Sequence, residues 1–374
     1  MRDTTPGAAA RCFNLIVAVR ESCVTVQLAS AWKGFHHQST DDEGWTTFWR
    51  LDPRGENPDL ARWHGADDRA KRPPMPALWS RACTPAGVHG RWRTAARHLR
   101  LEIRGDPVPE GTIGSIDVLV DGTLRSRRRV VEGEQLVEVD LPGTSSEIDV
   151  WLPHLGKASV RDLAFDAPAV PLRRDGVRWT TYGSSITQSG AAPGPSETWP
   201  ALVARANNWE AFALGLGGEC HLDPVAARAI RDTPADLISL CIGINIYLSG
   251  TFSGRTLPGQ VEAFLTTVRG QHPRTPIVVI TPLVAPLREG QLNAVDMTLD
   301  DVRSCVSLGV GSLVDRGDHA LHLVDGRSVL SASDALALYG DDVHPSAAGY
   351  QLIASRLTPR LAGYLSTGGA GKPV

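Results

Sequence analysis

The chain has 374 residues, of which 42% are hydrophobic and 21% are charged, and its formal net charge at pH 7 is −3. This nearly neutral composition excludes a strongly basic nucleic-acid-binding protein and gives no indication of a membrane partner. A chain of this length can bury a large core without disulfides or metal ions, and it predicts about two domains.

The N-terminal region contains a short apolar run, residues 12–19, which we interpret as a first strand rather than a secretion signal. No apolar run approaches the roughly 20 residues that span a membrane, so we expect a cytoplasmic protein. The six cysteines form no C-x-x-C pair and are expected to be free, mostly buried thiols. No cluster of His, Cys and Asp has metal-ligand spacing, so we expect neither a metal nor a cofactor.

The front half of the chain is strand-like. Its segments alternate polar and apolar residues and are separated by turn signals, among them Asp121-Gly122, a strong hairpin signal. Short alternating strands of this kind predict an antiparallel β-sandwich over residues 1–172. The predicted strands are 98–104, 115–120, 135–141 and 147–152, and residues 53–76 are predicted to be a loop.

The back half, residues 173–374, alternates apolar strands with helices. The predicted strands are 177–182, 209–214, 236–242 and 276–281, and the predicted helices are 196–206, 223–231, 258–270, 296–308 and 345–364. This alternation predicts a parallel sheet covered by helices on both faces. Ligands of such sheets bind beyond the carboxyl ends of the strands, so the residues that follow each strand are the place to look for chemistry.

Five polar or glycine residues follow these strands in order. Ser185 comes after the first strand, Gly218 ends a glycine-rich block after the second, and Asn245 follows the third. Asp341 and His344 lie three residues apart just before the last helix. Each alone is typical of ordinary turn or cap chemistry. Together they supply a nucleophile, two oxyanion donors, and a base with an orienting carboxylate, which is the set that serine-dependent acyl transfer needs.

The order and content of these blocks resemble the SGNH/GDSL hydrolase superfamily, over about residues 177–364. The resemblance implies a flavodoxin-like, three-layer α/β/α domain with a parallel sheet. It also implies a triad of Ser185, His344 and Asp341. The oxyanion hole would be formed by the N–H groups of Ser185 and Gly218 with the Asn245 side chain.

Two positions depart from the family pattern. The aspartate that usually precedes the nucleophile is Ser184 here, and the aspartate that usually follows the block-three asparagine is Ile246. Neither position belongs to the implied triad or oxyanion hole, so the departures concern loop geometry and subgroup rather than chemistry.

The front half also has a counterpart in the family. Some SGNH enzymes carry an N-terminal β-sandwich similar to carbohydrate-binding modules, and residues 147–165 (EIDVWLPHLGKASVRDLAF) resemble the junction to such a domain. This implies a jelly-roll-like sandwich ahead of the catalytic domain. The layout is similar to that of a bacterial GDSL-type O-acyltransferase subgroup of tetracycline-type polyketide tailoring.

Other features are open to two interpretations. Tryptophans of the front half either pack in the core or offer an exposed stacking surface. The basic run at residues 125–129 is either a solvated strand or a site for an acidic carrier such as an acyl-CoA phosphate. His221 and Asp223 either line the pocket or begin a helix. The tryptophans concerned are Trp32, Trp45, Trp49, Trp63, Trp79, Trp92 and Trp151.

These observations support three functions. The first is a carboxylic ester hydrolase acting on a small-molecule ester. The second is an O-acyltransferase that moves an acyl group from an acyl-CoA or similar donor to a hydroxyl of a carbohydrate or polyketide acceptor. The third is a carbohydrate-binding protein with an inactive hydrolase domain, which the complete set of five site residues argues against.

Overall fold

The computed structural model describes residues 24–25, 31–53, 75–106, 113–173 and 176–367. The strand predicted at residues 12–19 and most of the loop predicted at 53–76 lie outside these ranges, as do Cys12, Cys23 and Trp63. The elements below are numbered in chain order.

The front half forms two antiparallel sheets. The first has the order β3-β4-β11-β6-β9 with β1 against β11, and the second has the order β12-β5-β10-β7-β8 with β2 against β5. The first consists of β1 (Val24–Thr25), β3 (His37–Thr40), β4 (Thr46–Trp49), β6 (His98–Gly105), β9 (Gly133–Asp140) and β11 (Ala158–Phe165). The second consists of β2 (Trp32–Lys33), β5 (His89–Thr94), β7 (Ser115–Val120), β8 (Thr123–Arg129), β10 (Ser146–Trp151) and β12 (Ala169–Pro171).

Alternation along the strands explains why these segments pair as a sandwich. In β6, Leu99, Leu101 and Ile103 are fully buried while the residues between them are partly exposed. They belong to one hydrophobic cluster with residues of the other sheet, such as Ile148. Adjacent side chains of a strand point to opposite faces, so this pattern places one face of each sheet in a shared core. The front half is therefore β-rich, and its two antiparallel sheets are consistent with the predicted β-sandwich.

The predicted hairpin at Asp121-Gly122 joins β7 to β8, with Val120 paired to Thr123. Both turn residues have positive φ, 48° for Asp121 and 76° for Gly122. A two-residue hairpin loop of this type needs positive φ at both positions, and Asp-Gly tolerates it well.

The back half contains a parallel sheet of order β14-β13-β15-β16-β17. The second-first-third-fourth-fifth order is that of flavodoxin-like folds. The first four strands match the predicted segments. The fifth was not predicted, because it is short, lies at the sheet edge and partly exposes its two middle residues, His322 and Leu323, so it forms no continuous apolar run. The strands are β13 (Arg178–Gly183), β14 (Glu210–Gly215), β15 (Leu237–Cys241), β16 (Ile277–Ile280) and β17 (Leu321–Val324).

Helices alternate with these strands. Helix α3 contacts α9, while α4, α6 and α7 contact one another in series, which gives two helical groups around the sheet. Among the described residues, no helix combines the length and apolar character needed to cross a bilayer. The helices are α1 (Pro76–Ala82), α2 (Ser185–Gln188), α3 (Trp199–Asn207), α4 (Pro224–Asp232), α5 (Ile244–Ser249), α6 (Leu257–Arg269), α7 (Leu299–Asp315), α8 (Ala332–Leu338) and α9 (Ala347–Thr367).

Burial resolves the open interpretation of the tryptophans, and pairing accounts for one arginine of the basic run. The six front-half tryptophans within the described ranges are all buried, so the exposed stacking surface is wrong for them. The basic run lies in β8. Arg127 donates from Nε and Nη2 to the two oxygens of the buried Asp117 carboxylate, at 2.7 and 2.9 Å. Arg127 also pairs with Glu197 of the back half, so part of the run joins the two halves.

Arg50 makes a fully buried polar connection between the halves. Its side chain is fully buried, and it donates to Thr84 O, Arg81 O, Ala213 O and Gly215 O at 2.6–3.1 Å. Burial lowers the pKa of this guanidinium to about 9. Backbone carbonyl dipoles therefore stabilise a desolvated charge at the end of β14.

We predict that Arg50→Met lowers the free energy of unfolding by about 3 kcal/mol, because several buried carbonyl groups lose their guanidinium donor. Arg93→Met is the matched control, since the Arg93 side chain is 54% exposed and pairs with Glu147 at the surface. The control should change stability by less than about 1 kcal/mol. Denaturant unfolding of both variants measures the difference, and equal effects would contradict the role given to Arg50.

Candidate active site

Ser185 begins helix α2 directly after β13, at the carboxyl edge of the parallel sheet. The preceding Ser184 is buried, and its Oγ accepts a hydrogen bond from the Ile186 N–H at 3.2 Å. Ser184 thus serves as the N-cap of the helix. The position where the family pattern has an aspartate is occupied by a capping hydroxyl, and the half-buried Ser185 is the serine that reaches the site.

Ser185, His344 and Asp341 form one chain of hydrogen bonds. Ser185 Oγ lies 2.8 Å from His344 Nε2, and His344 Nδ1 lies 2.7 Å from Asp341 Oδ2. A carboxylate only accepts, so the ring N–H is on Nδ1 and Nε2 is left to accept the serine proton. The arrangement has the connectivity of a serine nucleophile, a base and an orienting acid.

The Asp341-to-His344 turn is fixed by its own carboxylate. Asp341 Oδ1 accepts the N–H groups of Val343 and His344 at 2.8 and 2.7 Å, leaving Oδ2 for the imidazole. Partial burial raises the pKa of Asp341, but these backbone bonds and the His344 ring outweigh it and hold the pKa below its usual value. The carboxylate is therefore ionised at neutral pH. The neighbouring Asp342 instead pairs with Arg288 at 3.2 Å.

The glycine block after β14 curves around α2. A Cβ on Gly215 would lie 2.3 Å from Gln188 N, so only glycine permits this close approach. Gly218 has φ of 79°, which also favours glycine. Within the described residues, the N–H groups of Gly218 and Ser185 donate to no protein acceptor, and both are free to bind a ligand oxygen.

Asn245 lies in the first turn of α5, after β15, and only 5% of it is exposed. Its Oδ1 accepts from the Cys220 N–H at 3.2 Å, which fixes the direction of the side-chain amide. The Nδ2 group is then directed away from that bond. The asparagine that the sequence predicts as an oxyanion donor therefore has an oriented side-chain amide. Ile246, the next residue, is fully buried in the core.

His221 supports the glycine block. Its Nε2 lies 2.9 Å from Gly218 O and its Nδ1 lies 2.8 Å from Thr251 Oγ1. Asp223 is the N-cap residue of α4, and burial raises the pKa of its carboxyl group. Both residues follow the glycine loop, and the His221 contact holds the Gly218 carbonyl.

Two further residues around this block were not predicted from the sequence. Gln188 accepts the Gly217 N–H at 3.0 Å and donates to His154 O of the front half at 2.9 Å. Arg81 of α1 donates from Nε to Gly217 O at 2.9 Å. Neither belongs to a recognisable motif, because both act through contacts between segments distant in the chain.

A separate polar cavity of about 500 Å³ lies between the sandwich and α3. Its lining includes Arg91, Glu147 and Asp149, and Arg91 forms an ion pair with each of the two carboxylates. None of the five predicted site residues lines this cavity. Among the described residues, no cluster of three or more His, Cys, Asp or Glu side chains has a metal-binding arrangement.

Residues 181–352 match the model of the GDSL-like lipase/acylhydrolase family, and residues 67–161 match the model of the SsfX3 N-terminal domain. No curated protein matches the chain in sequence.

Solved structures match over both halves. The salicylyl-acyltransferase SsfX3 from a tetracycline biosynthetic pathway has 26% identity and a TM-score of 0.79, over 92% of this chain and 98% of that one. A putative GDSL-like lipase from Bacteroides ovatus has 17% identity and a TM-score of 0.70, with the same coverage of 92% and 98%. A family two carbohydrate esterase from Cellvibrio japonicus has 14% identity and a TM-score of 0.62 over 92% and 98%.

We predict that Asp341→Asn lowers kcat for acyl-ester turnover by about 10³–10⁴-fold, because an amide in place of the carboxylate stabilises the wrong imidazole tautomer. Asp342→Asn is the matched control, since Asp342 lies one residue away and pairs with Arg288 instead of the imidazole. Steady-state kinetics on one ester substrate compares the two. A larger loss in Asp342→Asn would reverse the assignment.

Proposed function

The chain carries a GDSL-like lipase/acylhydrolase domain together with an SsfX3-type N-terminal domain, and on that premise we propose that it is a serine-dependent O-acyltransferase. It takes an acyl group from an activated donor such as an acyl-CoA, holds it as an ester on Ser185, and passes it to a hydroxyl group of a small-molecule acceptor. The observation that carries the serine chemistry is the hydrogen-bonded chain from Ser185 through His344 to Asp341.

Acylation uses all three residues of this hydrogen-bonded series. Ser185 Oγ attacks the acyl carbonyl carbon, and its proton moves to His344 Nε2, 2.8 Å away. Asp341 stabilises the imidazolium that results. When the tetrahedral intermediate collapses, the bond to the leaving thiol or alcohol breaks and His344 returns the proton to that group.

The negative charge of the tetrahedral oxygen needs donors that already point at it. We assign this role to the N–H groups of Ser185 and Gly218 and to the Asn245 side chain. Two facts support the assignment: the two N–H groups have no protein acceptor within the described residues, and Cys220 orients the Asn245 amide. Donors of this kind are worth about 3–4 kcal/mol each in catalysis.

Deacylation decides between transfer and hydrolysis. The site geometry serves either acceptor, because His344 can take a proton from water or from an alcohol. Likeness to a salicylyl-acyltransferase across both halves of the chain favours transfer. We therefore propose a polyketide-type or other aromatic hydroxyl compound as the first class of acceptor. The GDSL-like lipase/acylhydrolase match supports hydrolysis of a small-molecule ester as the second candidate function.

We place the domain boundary at residues 172 and 173, between β12 and β13. The front domain connects to the catalytic one through Arg50, Arg127 and Gln188, so it belongs to the structure that supports the site. A bound acceptor can outcompete water only if it is held in reactive geometry, where effective molarities reach about 10⁵–10⁸ M.

Partition of the acyl group tests this proposal. The purified chain is given an acyl-CoA with an aromatic hydroxyl acceptor, a polyol or no acceptor, and free acid and new ester are counted by mass spectrometry. Ser185→Ala is the control and should form neither product. We predict that new ester exceeds free acid with at least one acceptor. Free acid alone across the panel would identify a hydrolase.

A further inference from the structure

The Gly217–Gly218 peptide group connects the front domain to the proposed oxyanion hole. Its carbonyl is Gly217 O, and its N–H is that of Gly218, the proposed donor to the oxyanion. The bond is trans, like every peptide bond in the described residues. In a trans peptide the C=O and N–H point in opposite directions, so a partner on the carbonyl also fixes the direction of the N–H.

Arg81 is that partner. Its Nε donates to Gly217 O at 2.9 Å. The contact is charge-assisted, and a cation on the carbonyl oxygen draws electron density along the peptide, which makes the opposite N–H a stronger donor. The neighbouring peptide is fixed separately, because the Gly217 N–H is bound by Gln188 Oε1 at 3.0 Å.

Arg81 is itself held against the same strand. Arg50 donates to Arg81 O at 2.6 Å and to Gly215 O at 2.8 Å, so one buried guanidinium joins the backbone of α1 to the end of β14. From that fixed point the Arg81 side chain reaches Gly217, two residues further along the chain. The glycine block is thus held from its carbonyl side by α1.

We propose that Arg81 is a positioning residue that aims and polarises the Gly218 N–H toward the oxyanion, so that the N-terminal domain sets the strength of the oxyanion hole. The inference rests on the proposed function, since it assigns Arg81 to the oxyanion hole of that same site. It predicts that Arg81 stabilises the transition state without contributing to ground-state binding of the ester.

The test uses the full chain with 4-nitrophenyl acetate as the acyl donor. Arg81→Met keeps the side-chain stem and removes the donor. We expect kcat to fall about 10- to 100-fold with KM nearly unchanged, less than the loss of an entire oxyanion donor. Arg81 is exposed, so the fold should be retained, as far-UV circular dichroism will show. Arg81→Gln, whose amide is too short for the same reach, repeats the test with a polar side chain.

Arg205→Met is the matched control. Arg205 of α3 also joins the two halves, through Gly122 O at 2.6 Å, but it does not touch the glycine block. The kcat of Arg205→Met should stay within about twofold of the wild-type value, because the substitution removes no contact to the glycine block or to the triad.

A second readout isolates the oxyanion. Phenylboronic acid adds reversibly to Ser185 Oγ while the hydroxyl proton moves to His344, and one hydroxyl oxygen of the resulting tetrahedral boronate anion occupies the hole. In Arg81→Met, the inhibition constant of phenylboronic acid should rise by the same factor by which kcat falls. In Arg205→Met, the inhibition constant should remain unchanged.

The outcomes are distinct. A wild-type kcat in the Arg81 variants overturns the inference, and so does an effect confined to KM, which would make Arg81 a substrate-binding residue. Equal losses in Arg81→Met and Arg205→Met would also overturn it, because they indicate general loosening between the halves. A wild-type chain that forms no acyl-enzyme defeats the proposed function itself, and the role of Arg81 with it.

Discussion

The hydrogen bond between Ser185 Oγ and His344 Nε2 is the interaction on which the site depends, and its partners lie 159 residues apart in the chain. Ser185 follows β13, while His344 comes from the turn before α9. A parallel sheet brings such loops together because its strands all end at one edge. The sheet and the helices around it therefore account for the meeting of nucleophile and base. The Asp341 turn adds the last constraint, since one carboxylate shapes the loop and orients the imidazole.

The second constraint comes from the front half. Two guanidinium groups from outside the catalytic sheet bind carbonyl groups at and just after the end of β14: Arg50 binds Gly215 O and Arg81 binds Gly217 O. Arg50 is fully buried and cannot bind water at the surface, so protein groups must accept its hydrogen bonds. A sandwich placed in this way does more than adjoin the catalytic half. It holds the backbone of the loop that carries one of the proposed oxyanion donors.

Local pattern was enough to predict β6, β7, β9 and β10 of the front half, four strands of the parallel sheet, and the five candidate residues that follow them. The shorter front-half strands, such as β3 and β4, were not predicted. Period-two alternation indicated β6, and nearly continuous apolar runs indicated β15 and β16. Strand β17 was not predicted, because an edge strand exposes part of its surface and so lacks a continuous apolar run. Gln188, Arg81 and Arg50 were not predicted for a different reason. Each binds backbone groups, and because every residue has a backbone carbonyl, such a partner leaves no signal in the sequence. The roles of the five site residues remain predictions that chemistry must test.

Covalent trapping of the acyl-enzyme is the most direct test of the serine mechanism. The chain is mixed with an acyl-CoA and quenched with acid, and the acylated peptide is mapped by mass spectrometry, beside a sample treated with a serine-directed fluorophosphonate. The proposed mechanism predicts that both labels lie on Ser185, and that His344→Ala slows both reactions by orders of magnitude. Labelling of Ser184, or full activity in Ser185→Ala, would contradict it.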